Sequence, residues 1–383
     1  MAHRSRSSTG AVAFILLLSL AIAAPAHAQA GAQDLTSITA KIRDETERIL
    51  RDTGIPAISI ALIRDGEVVW SEAYGYANVG AGVRASADTY FSTGSTLKPV
   101  TAAAIMQLIE AGKLSLDTPF NEIVDSAQAI EGADDVTLRH MLAHHSGLEG
   151  PLTIVPLWGR QPLLKPEELL AATKRVGPPG VEYYYCNECY ALAGYVIERL
   201  SGLSYDAYLA ENIFGPLGGD DVLPSLPTPT VIEHLALPYG TEDGITTPIE
   251  QIRTDVFAAG DAYLRAKDMA AFLAALLNGG SYDGKRILSE ESSAEIMKPQ
   301  FEGSSSGLGI NVSELSGRSI VTKNGIFTGY HSHMIGDPAT RYGVYVVSNS
   351  TAAGGPIALL ARFAMRLLRE EQPDPLPSFA EAR

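Results

Sequence analysis

The chain is poor in cysteine, in positive charge and in long apolar runs, and each shortage removes a class of function. Two cysteines in 383 residues, Cys186 and Cys189, cannot form the disulfide framework of a small secreted scaffold. A lone C-x-x-C pair also lacks the further ligands of a zinc site and the βαβ setting of a thioredoxin-like redox centre. A short-range disulfide and two buried thiols both remain open for it. Lysine and arginine number 29 against 44 aspartate and glutamate, a formal charge of −15. So acidic a chain, without a basic cluster, is a poor partner for nucleic acid or anionic lipid. There is no repeat of fixed period, and Gly303–Gly307 with its three serines lacks the lysine and helix of a phosphate loop.

The one extended apolar run is at the N-terminus. Arg4 and Arg6 precede an apolar stretch from Ala11 to Ala24, followed by Ala26-His27-Ala28, and no acidic residue occurs before Asp34. This is the pattern of a secretory signal cleaved after Ala28, and the run is short for a membrane span. The expectation is a secreted or periplasmic protein with a signal at 1–28 and no membrane span once the signal is removed. An uncleaved anchor is the alternative. At 46% hydrophobic residues the chain can bury a large core, and the part beyond residue 28 is long enough for two lobes.

Leu35 to Asp52 has helical spacing, and Ala57–Ile63, Asp65-Gly66 and Val68–Trp70 read as a β-hairpin. From Leu97 to about Leu277 the pattern is mostly helical, with segments at 102–110, 138–144, 190–200 and 266–277. Short strands are expected at 307–312, 319–322, 330–336 and 342–348, then a closing helix at 356–368. Strands at both ends around a helical middle predict an α+β fold, an antiparallel sheet interrupted by a large helical insertion. The lobes are placed at 29–94 with 285–369, and at 95–284. Residues 370–383 read as a loose tail.

Three motifs carry chemistry. Ser95-Thr96-Leu97-Lys98 follows a Gly turn and opens a helix, where positions i and i+3 are neighbours. A serine hydroxyl needs a base at neutral pH, and a desolvated lysine can be one. The helix N-terminus also offers N–H groups to a developing oxyanion. Tyr185-Cys186-Asn187 precedes a helix. Its phenol can act as a phenolate base or proton relay beside a lysine, and its amide can meet a substrate amide. The plainer reading is an aromatic loop plugging a core. Lys323-Asn324-Gly325 reads as a strand. Lys323 and Gly325 share a face there, one offering charge and the other close approach to the backbone. The plainer reading is a solvated edge lysine.

The order and spacing of these motifs resemble one family, the serine hydrolases related to class C β-lactamases, penicillin-recognising DD-peptidases and certain esterases. Leu142-Ala143-His144-His145-Ser146-Gly147-Leu148 is similar to that family's L-x-H-T-S-G-L, and Ala259-Gly260 and Gly329-Tyr330-His331-Ser332 agree with it. The likeness runs from about residue 40 to about 368. It implies a β-lactamase/DD-peptidase-like fold and Ser95 as the acylated nucleophile, with Lys98 and Tyr185 sharing the proton transfers. It also implies an oxyanion hole from the backbone N–H groups of Ser95 and Ile326, and substrate contacts from Asn187, Lys323, Asn324 and Gly325. Two positions depart from the pattern. Cys186 stands where Ser or Ala is usual, and Asn324 where β-lactamases and DD-peptidases have Thr.

The function expected is exported hydrolysis of an amide or ester bond through an acyl-serine, on a small molecule or cell-wall peptide. A carboxylesterase, and a penicillin- or cell-wall-peptide-binding protein without turnover, are the alternatives. No cofactor and no metal is expected. His331 and His333 share a strand face without a third ligand, and His144 and His145 read as structural. Asp134-Asp135 and Glu290-Glu291 read as solvated faces or helix starts.

Overall fold

The run Ala57–Ile63 lacks a polar face because both of its sides are covered. In the computed structural model, which describes residues 1, 27–219, 229–242 and 245–379, it forms strand β1 (Ala57–Arg64) at the heart of a sheet. Asp65 and Gly66, with φ of 56° and 83°, turn it into β2 (Glu67–Asn78), and β3 (Val83–Arg84) follows. Two positive φ values are what a tight two-residue hairpin demands. The remaining strands come from the other end of the chain: β4 (Asn311–Leu315), β5 (Arg318–Phe327), β6 (Tyr330–Asp337) and β7 (Tyr342–Ser348). Their order is β4-β5-β6-β7-β1-β2-β3, antiparallel throughout, with Ile60 opposite Val346 where the two ends of the chain meet.

The helices that position the site are α1 (His27–Thr53), α2 (Lys98–Glu110), α3 (Leu138–Leu142), α4 (Asn187–Ser201), α5 (Ala266–Leu277) and α6 (Gly354–Leu368). Side chains alternate between the faces of a strand. Ile58, Ile60 and Leu62 therefore pack with Ile38, Ile42 and Ile49 of α1 and with Ile357 and Leu360 of α6. Ala57, Ala61 and Ile63 face the second core, shared with α2, α4 and α5. Helix α5 is buried almost all round, as a helix between a sheet and a helical lobe must be. The α+β expectation is met.

Local differences have physical causes. The helix read at 138–144 stops at Leu142 because His144 takes a left-handed φ of 61°. The strand read at 307–312 begins only at Asn311, since Gly309 turns with φ 74° against the backbone of Lys98. Ser95 lies on a 3₁₀ turn, Gly94–Leu97, just ahead of α2. The described part of the segment read as a loose tail is docked. Arg48 of α1 donates to the carbonyls of Leu376 (3.3 Å) and Pro377 (3.2 Å), and Phe379 lies under its guanidinium. Arg4, Arg6, the apolar run and Ala26 lie outside the described residues. Among the described residues no helix is long and apolar enough to cross a membrane.

The end of β6 is tied to the end of α6 by a buried ion pair. Arg369 donates to Asp337 Oδ2 at 2.6 Å and to the Leu315 carbonyl at 3.2 Å. Arg369→Met leaves that carboxylate buried without its partner, a change that costs about 3–5 kcal/mol. The expected result is a lower urea midpoint at unchanged slope. A midpoint equal to wild type would show the pair to be dispensable.

Candidate active site

Two glycines let the turn that carries Ser95 press against β5. A Cβ on Gly94 would stand 2.8 Å from the Ile326 nitrogen, and one on Gly325 would stand 2.1 Å from Ser332 Oγ and 2.3 Å from the Thr93 carbonyl. The turn is then pinned by hydroxyls. Thr96 Oγ1 donates to the Thr93 carbonyl at 2.8 Å and lies 3.1 Å from both Ser332 Oγ and the Tyr345 hydroxyl. Ser332 Oγ donates to the same carbonyl at 2.5 Å. Ser95 is thereby fixed to β6 and β7.

Lys98 is fully buried, and its amine has three oxygens around it: Ser95 Oγ at 3.1 Å, Asn187 Oδ1 at 2.8 Å and the Ala259 carbonyl at 2.8 Å. Burial holds its pKa well below the usual lysine range, and the Lys323 charge adds to the effect. A neutral amine has two N–H groups and one lone pair. With Asn187 and Ala259 taking the N–H groups, the lone pair is left for the Ser95 hydroxyl. Asn187, read as a substrate contact, thus spends its oxygen on Lys98 and keeps only its NH₂ for other partners.

The backbone supplies donors beside Ser95. The β4–β5 hairpin pairs Asn311 with Thr322 and Leu315 with Arg318, across a two-residue turn. In an antiparallel ladder alternate residues direct their N–H and C=O to opposite sides. Arg318, Ile320 and Thr322 face β4 in that way, and Asn324 and Ile326 continue toward the same side. β4 has ended there, and the 94–97 turn takes its place. The Ile326 N–H consequently points at the turn, next to the Ser95 N–H, which precedes the first bond of the turn.

Tyr185 is partly exposed and its phenol faces Ser95. Burial raises its pKa, and the hydroxyl of Ser95 opposes that rise only in part. A raised pKa disfavours the phenolate and favours the relay. The amines of Lys98 and Lys323 each lie 4.9 Å from the centre of its ring. Lys323 is buried on β5, without a hydrogen-bond partner among the described residues, and desolvation lowers its pKa to about 7. The edge-lysine reading fails on that burial.

Not every expected residue enters the site. Asn324 points to the opposite face of β5, where its oxygen lies 2.5 Å from Nδ1 of the buried His333. Strand alternation turns it away from Lys323 and Gly325. His331 Nδ1 donates to the Ser350 carbonyl at 2.9 Å. Among the described residues no group of three or more His, Cys, Asp or Glu side chains is placed to hold a metal. Cys186 and Cys189 are disulfide-bonded across the first turn of α4, directly between Tyr185 and that helix.

Ser95 opens on a cleft of about 500 Å³ whose walls are apolar: Leu152, Ile154, Ile252, Val256, Ile326 and Phe327, with Asn187 and His331 as its polar groups beside threonines. Among the described residues no Lys, Arg, Asp or Glu side chain lines it. A larger cavity, about 750 Å³, lies between α1 and β2 beside Arg51, Glu72 and Arg84, away from Ser95.

Sequence reasoning missed the residues that hold this arrangement. Thr96, Ser332 and Tyr345 come together from positions 236 and 249 apart, and nothing local announces that. Asp261, beyond the Ala259-Gly260 turn, is buried and accepts the Thr254 N–H at 2.7 Å, tying the cleft wall to the turn that holds Lys98. Burial raises its pKa to about 8 from 3.8.

Because the folded state favours protonated Asp261, its contribution to stability is complete below about pH 4 and is lost as pH rises through about 8. Asp261→Asn, which cannot titrate, should therefore gain on wild type as the melting temperature is followed from about pH 5 to about pH 9. Parallel curves for the two proteins would remove the assignment.

Comparison with known proteins agrees with this geometry. A penicillin-binding protein 4 of Amycolatopsis lactamdurans is 30% identical over 256 residues, 65% of this chain and 66% of that protein, just under two thirds of its length. The octameric penicillin-binding protein homologue of Pyrococcus abyssi superposes with a TM-score of 0.72 at 26% identity, over 89% of this chain and 78% of that one. The D-amino acid amidase of Ochrobactrum anthropi SV3 shares the fold, with a TM-score of 0.73 at 23% identity, over 87% and 99%. The family model described as Beta-lactamase matches residues 39–367, which contain the Ser95 turn, α4 and the whole sheet, and the chain belongs to that family of serine hydrolases.

Proposed function

We propose that the protein cleaves amide or ester bonds of small apolar substrates through an acyl-Ser95 intermediate. The observation that carries this reading is the buried Lys98 amine, its pKa lowered by desolvation, 3.1 Å from Ser95 Oγ, which opens on an apolar cleft. Lys98 takes the Ser95 proton as the oxygen attacks the carbonyl carbon, and the Ser95 and Ile326 N–H groups receive the oxyanion. Tyr185, a neutral phenol, passes a proton to the leaving group and is refilled from Lys98. Water then attacks the acyl-enzyme by the same route in reverse. The Asn187 NH₂ is free to orient the substrate.

Walls without charged side chains among the described residues, and Asn324 turned away, favour a neutral ester or amide over a β-lactam or D-alanyl peptide bearing a carboxylate. The second reading keeps those acidic substrates and rests on Lys323. Its ammonium is present below about pH 7 and lost above it. Export belongs to the same proposal, supported by the signal-like N-terminus and by a disulfide, which persists in oxidising compartments.

Intact-mass spectra after mixing with p-nitrophenyl acetate, a D-Ala-D-Ala peptide and a β-lactam in turn should show an acyl adduct on Ser95, with rapid turnover for the ester. Spectra of protein recovered from its host should lack residues 1–28. Ser95→Ala should abolish the adduct with the fold intact, and labelling at the wild-type rate would mean the nucleophile lies elsewhere.

Lys323→Ala separates the two substrate readings. On the first, kcat/KM falls equally for neutral and acidic substrates. On the second, it falls roughly ten- to a hundredfold for acidic substrates alone, the scale of a charge-assisted contact. Wild-type preference for acidic substrates would then also decline as pH rises through about 7.

A further inference from the structure

His144 occupies a position that ordinary packing does not explain. It is buried and follows α3 with φ of 61°, a left-handed conformation uncommon outside glycine that histidine adopts more readily than most side chains. Its Nδ1 accepts the Cys186 N–H at 3.1 Å, so the ring proton sits on Nε2, and that buried nitrogen has no hydrogen-bond partner. A turn alone is served by glycine or asparagine, and a core alone by an apolar side chain. A residue that breaks both local rules marks a functional constraint.

Three of its attachments converge on the segment 184–186, and the Tyr183 and Tyr190 rings flank it at 5.7 Å and 5.3 Å. The His144 carbonyl accepts the Tyr184 N–H at 2.7 Å, Nδ1 holds the Cys186 N–H, and the ring stacks on the Tyr185 ring between them at 4.1 Å and 25°. Ser146 Oγ, two residues on, lies 3.2 Å from Cys189 Sγ and extends the same clamp to the first turn of α4. The far side of the arrangement is the reacting group, because Tyr185 faces Ser95 and Asn187 holds Lys98.

We propose that His144 is a positioning residue for acyl transfer: it sets the Tyr185–Asn187 segment, and through it the Tyr185 hydroxyl, against Ser95. The proposal rests on the acyl-Ser95 reading above. It acts through Tyr185 and touches neither substrate nor nucleophile. The neighbouring His145 has no such place, since its Nε2 pairs with Ser304 Oγ at 3.0 Å.

A double-mutant cycle distinguishes positioning from bulk support. His144→Gly keeps the left-handed turn and removes both acceptor and ring. Its acylation rate with an unactivated alkyl ester such as ethyl butyrate, whose alkoxide must be protonated to leave, should fall about a hundredfold with KM little changed, the scale of a displaced reacting group. In a Tyr185→Phe background the same change should cost less than about threefold, because the group it positions is already gone. His144→Asn suits the turn and carries an oxygen on Cγ where histidine carries Nδ1, so it should recover about tenfold of the loss. Equal losses in both backgrounds, or no recovery with Asn, overturn the proposal. Where His144→Gly does not fold, His144→Asn runs the same cycle, with a loss expected in wild type and none in Tyr185→Phe. Fluorophosphonate labelling of wild type tests the underlying reading separately: an unlabelled Ser95 sinks acyl transfer itself, whereas a labelled Ser95 with an additive cycle sinks only His144.

Discussion

Lys98 carries its amine where water is excluded, and the cost of keeping a charge there organises the whole site. Desolvation favours the neutral form, and a neutral amine beside a serine is a base. The arrangement holds only if the two N–H groups of that amine are satisfied, since an unmet buried donor is expensive. Asn187 and the Ala259 carbonyl, from two separate segments packed against each other, do this. Lys323 compounds the effect, for its charge across the same phenol ring lowers the Lys98 pKa further. Each remaining feature, from the disulfide beneath Tyr185 to Asp261 behind the cleft wall, holds one of these acceptors or rings in place.

How much of this was legible follows from how local each signal is. Ser-x-x-Lys is local: positions i and i+3 are neighbours in an α-helix and eclipse one another in a 3₁₀ turn, so the pairing survives the change of helix type. The hairpin at Asp65-Gly66 and the helix at 266–277 are local too, and they stand where the pattern put them. Orientation is less local. Asn324 has a residue type that suits a substrate, but the period-two alternation that brings Lys323 and Gly325 into the site sends it to His333. Asn187 was legible as a polar loop residue, while its commitment to Lys98, 89 positions earlier, was not.

The pins of the Ser95 turn were not legible at all. Thr96 reads as an ordinary helix-start threonine, and only the return of β6 and β7 from the far end of the chain shows that it is bonded to Ser332 and Tyr345. His144 was read as structural within its motif, and its left-handed backbone and its hold on Cys186 are properties of a junction between separate segments. The two cysteines could be read as thiols or as a bridge, since spacing alone does not fix the direction of their Cβ bonds.

The placement of β1 between β2 and β7 has a consequence for the order of events during synthesis. A ribosome that has released the first three hundred residues has made the serine, the lysine and the tyrosine, yet β1 still lacks one of its neighbours and the Ser95 turn lacks the Ser332 and Tyr345 hydroxyls that pin it. Contacts so distant in sequence form late, after the loop entropy of the intervening lobe has been met. The nascent chain therefore holds Ser95, Lys98 and Tyr185 without the geometry that joins them, which is complete only when the last strand is added.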